Sequence, residues 1–348
     1  MAYIHLFQTV NEFNSARTNN YVEPWLSYTK ENSGLTFNKT EEEKLPETPL
    51  TFIAQENGTF KFSGSTTSNT LKYSLDNGET WVALAHDTNT PIVQSGNTIM
   101  WKGECVNSFN DDGIGKFISS GRFIAKGNVM STLSEDNFTG RTSYYDETYQ
   151  HAFLFAGCTG MTSAEKLILP VTDLSVACYS YMFSGCTSLT IAPKLPATTV
   201  KSVSYAGMFY GCTSLIVAPE LPATTLLGPM CYNNMFKGCT SLTATPVLPA
   251  TTLTESCYIN MFNGCSSLTS APELPAITLT GNCYRQMFSG CTNLSYIKCL
   301  ATNISASNCT SNWVNGVAAS GTFVKAPSMT SWTTGNDGIP ANWTVQDA

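Results

Sequence analysis

Cysteine offers this 348-residue chain its richest potential chemistry, because a thiolate can attack, pair or bind metal. Thirteen cysteines are present, and they are periodic. Six of them close a Phe-x-Gly-Cys motif: Cys158, Cys186, Cys212, Cys239, Cys265 and Cys291, spaced 26 to 28 residues apart. A second column holds Cys178, Cys231, Cys257, Cys283 and Cys309, with Ser204 at the matching place in one repeat. Within a repeat the two columns lie eight residues apart, ~12 Å along a helix, which is beyond disulfide reach. No Cys-x-x-Cys pair offers a zinc site. The spacing therefore predicts a ladder of small, buried, reduced thiols, since free cysteine packs like a small hydrophobe. Disulfides running vertically between stacked repeats remain the alternative that this spacing leaves open.

Other reactive groups are sparse. The three histidines, His5, His86 and His151, are far apart in sequence, and no Gly-x-Ser-x-Gly elbow accompanies them. Gly113-Ile114-Gly115-Lys116 lacks the leading glycine of a phosphate loop and reads as a turn. Asn110-Asp111-Asp112-Gly113 lacks the closing glutamate of a calcium loop and reads as a hairpin turn. The expectation is a protein that is not an enzyme, with no cofactor and no metal.

Charged residues make up 12% of the chain, against ~25% in ordinary domains. The net charge of −7 has no basic block behind it, so nucleic acid is excluded as an expected partner. No apolar run approaches the ~20 residues of a membrane span. The N-terminal residues show no basic, apolar and small-residue succession, so a standard export signal is not expected there.

The elements that must position the cysteines follow from the repeat. Its consensus is Cys-Tyr-x-x-Met-Phe-x-Gly-Cys-Thr-Ser-Leu-Thr-x-Ala-Pro-x-Leu-Pro-Ala-Thr-Thr-Leu, well shown by 257–279. Cys257, Met261, Phe262 and Cys265 have the spacing of one helical face. Gly264 then stands where a short helix ends. Leu268, Ala271 and Leu274 continue as an extended rung, in which Pro272 and Pro275 forbid helix. A period in this range predicts stacked units sharing one core, with atypical units closing the ends. His151-Ala152-Phe153-Leu154-Phe155 reads as a degenerate first helix, and Trp313 takes the Phe place in a last unit.

Residues 48–135 read differently. Short strands such as 50–54, 60–62, 71–75, 98–101 and 121–125 alternate with turn signals such as Asn57-Gly58 and Asp76-Asn77-Gly78, predicting a β-sandwich. Residues 1–47 scatter aromatics through a polar segment too short for its own core. The expected fold class is α+β multidomain: an attachment segment over 1–47, a β-sandwich over 48–135, a repeat solenoid over 136–310 and a cap over 311–348.

Met261-Phe262-Asn263-Gly264-Cys265-Ser266-Ser267-Leu268 resembles the BspA-like class of leucine-rich repeats, over residues 151–310. The period is longer than in the commoner bacterial form, and the Leu-Pro-Ala-Thr-Thr-Leu linker is a further departure. The segments Glu23-Pro24-Trp25-Leu26-Ser27-Tyr28-Thr29 and Leu75-Asp76-Asn77-Gly78-Glu79-Thr80-Trp81 resemble proteins of gut Bacteroidales and their phages. The resemblance implies surface recognition, with no catalytic residues to carry over.

In stacked repeats the constant positions build the core and the changing ones face solvent. The tyrosine column, Tyr179, Tyr205, Tyr232, Tyr258 and Tyr284, is expected as a buried ladder with its hydroxyls at the rim. Ligand-binding candidates are therefore the changing positions Tyr181, Asn233, Asn260, Arg285 and Gln286, then Tyr210, Lys237 and Asn263 after the Phe. Lys194, Glu220 and Glu273 on the rung complete the set. Particle-attachment candidates are Tyr3, Phe7, Phe13, Tyr21, Trp25 and Tyr28.

The expected function is that of a non-enzymatic phage virion protein, a head or tail fibre or decoration protein. Residues 1–47 would hold a capsid or tail protein, and the repeats would meet a host-surface protein or glycan. The phage resemblance implies a homo-oligomer, such as a trimer, on the virion surface. The alternative is a bacterial cell-surface adhesin.

Overall fold

Alternating apolar residues over 50–128 produce strands whose buried faces are mainly aromatic. The computed structural model describes residues 26–31, 34–39, 47–63, 70–85, 87–104, 115–144 and 149–348. It comprises two compact units, Met1–Glu47 and Thr48–Ala348. In the first, β1 (Leu26–Glu31) pairs antiparallel with β2 (Gly34–Lys39).

The second unit begins with β3 (Leu50–Ala54), β4 (Phe60–Ser63), β5 (Lys72–Ser74), β6 (Val82–Ala83), β7 (Thr98–Lys102), β8 (Lys116–Ser119) and β9 (Phe123–Asn128). A one-turn helix, α1 (Ser131–Ser134), follows, and β10 (Met161–Ile168) comes from the first repeat. One sheet has the order β10-β9-β3-β7-β5-β6, and β4 pairs with β8 in a second. Phe52 on β3 joins them, with its ring 5.2 Å from Phe60 and 5.1 Å from Phe117 across the core. Trp101 and Phe123 lie 5.5 and 4.7 Å from the same ring.

The expected α+β class, with a leucine-rich-repeat solenoid built on short helices, is corrected. The chain is nearly all β, 24% strand and about 1% helix, in several small sheets. The reason lies in where the backbone amides go. In the repeat holding Cys257, the amides of Ile259, Met261, Asn263 and Cys265 donate three residues back, to Ser256, Tyr258, Asn260 and Phe262. The amides between them donate instead to the next repeat: Tyr258 to Cys283 at 3.1 Å, Asn260 to Arg285 at 2.9 Å, Phe262 to Met287 at 2.9 Å and Gly264 to Ser289 at 2.8 Å. An α-helix would keep every such amide for its own preceding turn. Here every second one is spent on a neighbour, so each repeat runs as a ribbon of tight turns.

Each ribbon reverses through a left-handed residue at every fourth position: Ser256, Asn260 and Gly264 have φ of 57°, 56° and 77°. The degenerate first helix is likewise replaced by turns, left-handed at Tyr149, Phe153 and Gly157, with His151 an additional left-handed residue that the other repeats lack. Gly264 is left-handed as expected of a helix end, but what it closes is a turn ribbon.

Beyond the ribbon, each repeat adds an extended rung. Rungs pair in parallel where proline permits: β11 (Thr199–Val200) with β12 (Thr225–Leu226), and β13 (Tyr296–Cys299) with β14 (Thr322–Lys325) and β15 (Thr344–Asp347). Isolated parallel bridges, Val217 to Ala244 and Ser270 to Tyr296, mark the rungs between.

Two aromatic columns run through the interior. Phe183, Phe209, Phe236, Phe262 and Phe288 stack at 5.4 to 5.8 Å. The tyrosines Tyr179 to Tyr284 stack at 5.7 to 6.2 Å. Both columns are closed by unlike residues. Phe117 of β8 stacks on Phe155 at 5.7 Å, and His151 lies parallel to Tyr179 at 6.2 Å. At the far end Trp313 stacks on Tyr284 at 6.3 Å, and Trp332 on Trp313 at 5.5 Å.

The rim placement expected for the tyrosine hydroxyls is also corrected. Those of Tyr179, Tyr205, Tyr232 and Tyr258 are buried, because ring stacking points the whole side chain into the interior. At Tyr232 and Tyr258 no partner lies within hydrogen-bonding reach of the hydroxyl.

Candidate recognition surface

The interior is chemically quiet. All twelve described cysteines are free and buried. Their recurrence has a hydrogen-bonding cause. Cys186, Cys212, Cys239, Cys265 and Cys291 each donate Sγ–H to the carbonyl of the Phe in the preceding repeat, at 3.0 to 3.1 Å. In the second column Cys231 donates to Gly228 three residues back at 3.0 Å, and the hydroxyl of Ser204 does the same to Lys201 at 2.9 Å. Serine substitutes for cysteine there because both supply a short donor to that carbonyl.

Burial pushes the Cys239 and Cys291 thiols up to about 12 and drives Cys186 and Cys265 well above their ordinary range. Such thiols stay protonated and poorly nucleophilic. Burial pulls His151 the other way, to about 3, which keeps the imidazole neutral. Among the described residues no group of His, Cys, Asp or Glu could hold a metal ion. The Asp76-Asn77-Gly78 turn is internally satisfied. The Asp76 carboxylate accepts from the Thr80 amide at 2.9 Å and the Ser74 hydroxyl at 2.7 Å, and its pKa falls to about 2 through the Thr80 hydroxyl and amide and then Ser74.

Many of the changing positions face outward, on two stretches of each repeat, although Ser180 and Ala206 at one changing place are buried. Tyr181, Asn260 and Gln286 occupy one left-handed column of the turn ribbon, with φ of 53°, 56° and 54°. Tyr210, Lys237 and Asn263 form a second column, each just before a left-handed glycine, held in register by the amide bonds of Gly211 to Lys237 and Gly238 to Asn263. Lys194, Glu220 and Glu273 are exposed on the rung stretch. The sequence candidates thus gather in columns.

Not all of them are free to bind. Tyr181 is half-buried, stacked on Phe153 at 5.1 Å, and its ring fills the space a side chain on Gly207 would need. Asn233 and Asn260 are half-buried, each with a buried, unpartnered Oδ1. Asn263 donates weakly to the Gln286 carbonyl, and Glu273 pairs with Lys298 at 3.1 Å. Tyr210 and Arg285 are the exposed large side chains of the ribbon set.

Sequence reasoning marked Val247 as a changing rung position but missed that it has apolar, exposed company on the rung stretch. Ile191, Ile216, Val217 and Val247 are 47%, 50%, 56% and 77% exposed. The available signal was an aliphatic residue where other repeats hold polar or small ones: Thr243 and Thr269 match Ile216, Ala244 and Ser270 match Val217, and Lys194, Glu220 and Glu273 match Val247.

Tyr3, Phe7, Phe13, Tyr21 and Trp25 lie outside the described residues, as do His5, His86, Cys105 and the 110–113 turn with Gly113 and Ile114. Tyr28 lies on β1. No described helix is long and apolar enough to cross a membrane. No family model, curated protein or solved structure matches the chain.

Proposed function

We propose that this is a non-catalytic recognition protein of a virion surface, with its changing outward columns as the binding face. One observation carries the reading: the interior columns stay constant from repeat to repeat while exposed places change. Inward positions repeat the same Cys, Tyr, Met and Phe, whereas Tyr210, Lys237 and Asn263 succeed one another at one outward place. A protein that only filled space would gain nothing from that outward diversity. The shifted interior groups support a non-catalytic role, since burial moves the thiols and His151 away from reactivity near neutral pH.

In this reading residues 1–47 hold a capsid or tail protein, and the repeats meet a host-surface protein or glycan through many weak polar and aromatic contacts. Homo-oligomerisation, as in a trimer, would multiply such contacts by avidity. Mass spectrometry of gradient-purified particles beside washed cell envelopes tests the location. Stoichiometric recovery in particles is expected. Recovery in envelopes alone would replace the virion reading with a cell-surface adhesin.

A further inference from the structure

His151 is the odd member of the tyrosine column, and its position joins two parts of the larger unit. Its ring is 1% exposed and lies parallel to Tyr179, 4° between planes. Both ring nitrogens are committed. The Tyr144 hydroxyl donates to Nδ1 at 2.7 Å. Nε2–H points at the Val129 carbonyl at 3.1 Å, with Thr132 Oγ1 also at 3.1 Å and itself donating to Val129. This network assigns the neutral tautomer protonated at Nε2. Val129 lies in the turn between β9 and α1 and Thr132 in α1 itself, whereas His151 belongs to the first repeat.

We propose that neutral His151 is an acid-sensitive latch that fastens the β9–α1 turn to the first repeat and lets go when the imidazole takes up a proton. The imidazolium would place Nδ1–H against the Tyr144 hydroxyl proton, which must rotate away from its present bond. It would also place a full charge inside the column, where no described residue against the ring carries an opposite charge. Among the described residues the ionisable groups on the ring's neighbours are Tyr144, Tyr179 and Cys178, all held neutral by burial. The carboxylates that follow α1 are already engaged, Glu135 by Lys72 at 2.7 Å and Asp136 by Lys102 at 2.8 Å. An uncompensated buried charge is relieved by losing the proton or by opening the site.

The direction follows from linkage. The folded imidazole binds a proton only near pH 3, whereas the unfolded one binds near 6.5. The unfolded chain therefore takes up the proton first as pH falls. The latch contributes fully above the unfolded value and progressively less below it, down toward the folded one.

Thermal melts and amide exchange from about pH 7.5 to about pH 4.5 test this, on the full chain and on His151→Phe. The wild type should lose more Tm across that range than the variant, and its amides at 129–132 and 151–156 should be the first to exchange faster. An equal fall in both proteins would overturn the latch. Should His151→Phe fail to fold, Tyr144→Phe keeps the histidine but removes the Nδ1 donor; its acid-dependent stability loss should start at the same pH as in the wild type but be smaller and level off at a higher pH. Histidine Cε1–H resonances give the direct reading. His151 should hold its neutral shift across the range, and a midpoint near 6.5 with the fold intact would sink the proposal.

Discussion

The strands over 50–128 and the repeats that follow them bury the same kinds of residue by different rules. Around Phe52 every ring is unique, and neighbours meet it tilted or edge-on, at interplanar angles of 46° for Phe60 and 84° for Phe117. In the repeats each ring meets its own kind nearly parallel, as Phe209 meets Phe236 at 1°. The first core is a mosaic specified piece by piece. The second is one layer specified once and copied. A mosaic piece has no substitute, whereas a damaged layer has intact layers on either side.

That contrast can be broken experimentally. Phe52→Ala removes the ring that joins the two sheets and should cost ~3–5 kcal/mol in denaturant unfolding. Phe236→Ala removes a comparable volume, but amide exchange should rise chiefly in its own and the adjoining repeats while β3, β7 and β9 stay protected. Uniform loss of protection would show that the layers are not semi-independent. Cys239→Ala deletes a small volume and the donor to Phe209, an expected loss of ~1–2 kcal/mol. In the unsubstituted protein, none of the twelve described thiols should react with a thiol reagent before denaturation.

Two substitutions should act in the opposite direction. Val203 is β-branched yet left-handed, φ 60°, at a place where Asn282 and Asn308 stand in later repeats. Val203→Asn should therefore stabilise by ~1 kcal/mol, visible as a higher Tm. Tyr232→Phe removes a buried hydroxyl without a partner and should be neutral or stabilising by up to ~1 kcal/mol. A clear loss would mean that the hydroxyl has a partner after all.

The sequence shows the repeat period, the thiol columns and the division between inward and outward positions plainly, because each is a recurrence of residue type. It hides the turn ribbon. Cys257, Met261 and Cys265 share a face under a four-residue turn repeat as well as under a helix of 3.6 residues per turn, and nine residues are too few to separate the two. The discriminating signal was the left-handed column itself: Asn260 and Gly264, then Asn308, Asn312 and Gly316, at intervals of four. Helices do not place such residues on one periodic line.

The candidate surface was legible only in part, since a changing residue can be half-buried, as Tyr181 is against Gly207. His151 was illegible as a latch. Its partners Tyr144, Val129 and Thr132 come together through the β9–β10 pairing, which no local pattern announces.

Alternate amides cross between repeats where a helix would keep them. Far-ultraviolet circular dichroism of the intact chain tests this most directly. The expected spectrum is that of strands and turns, without the double minimum of α-helix. A helical component large enough for a two-turn helix in every repeat would contradict the structure and restore the helical reading.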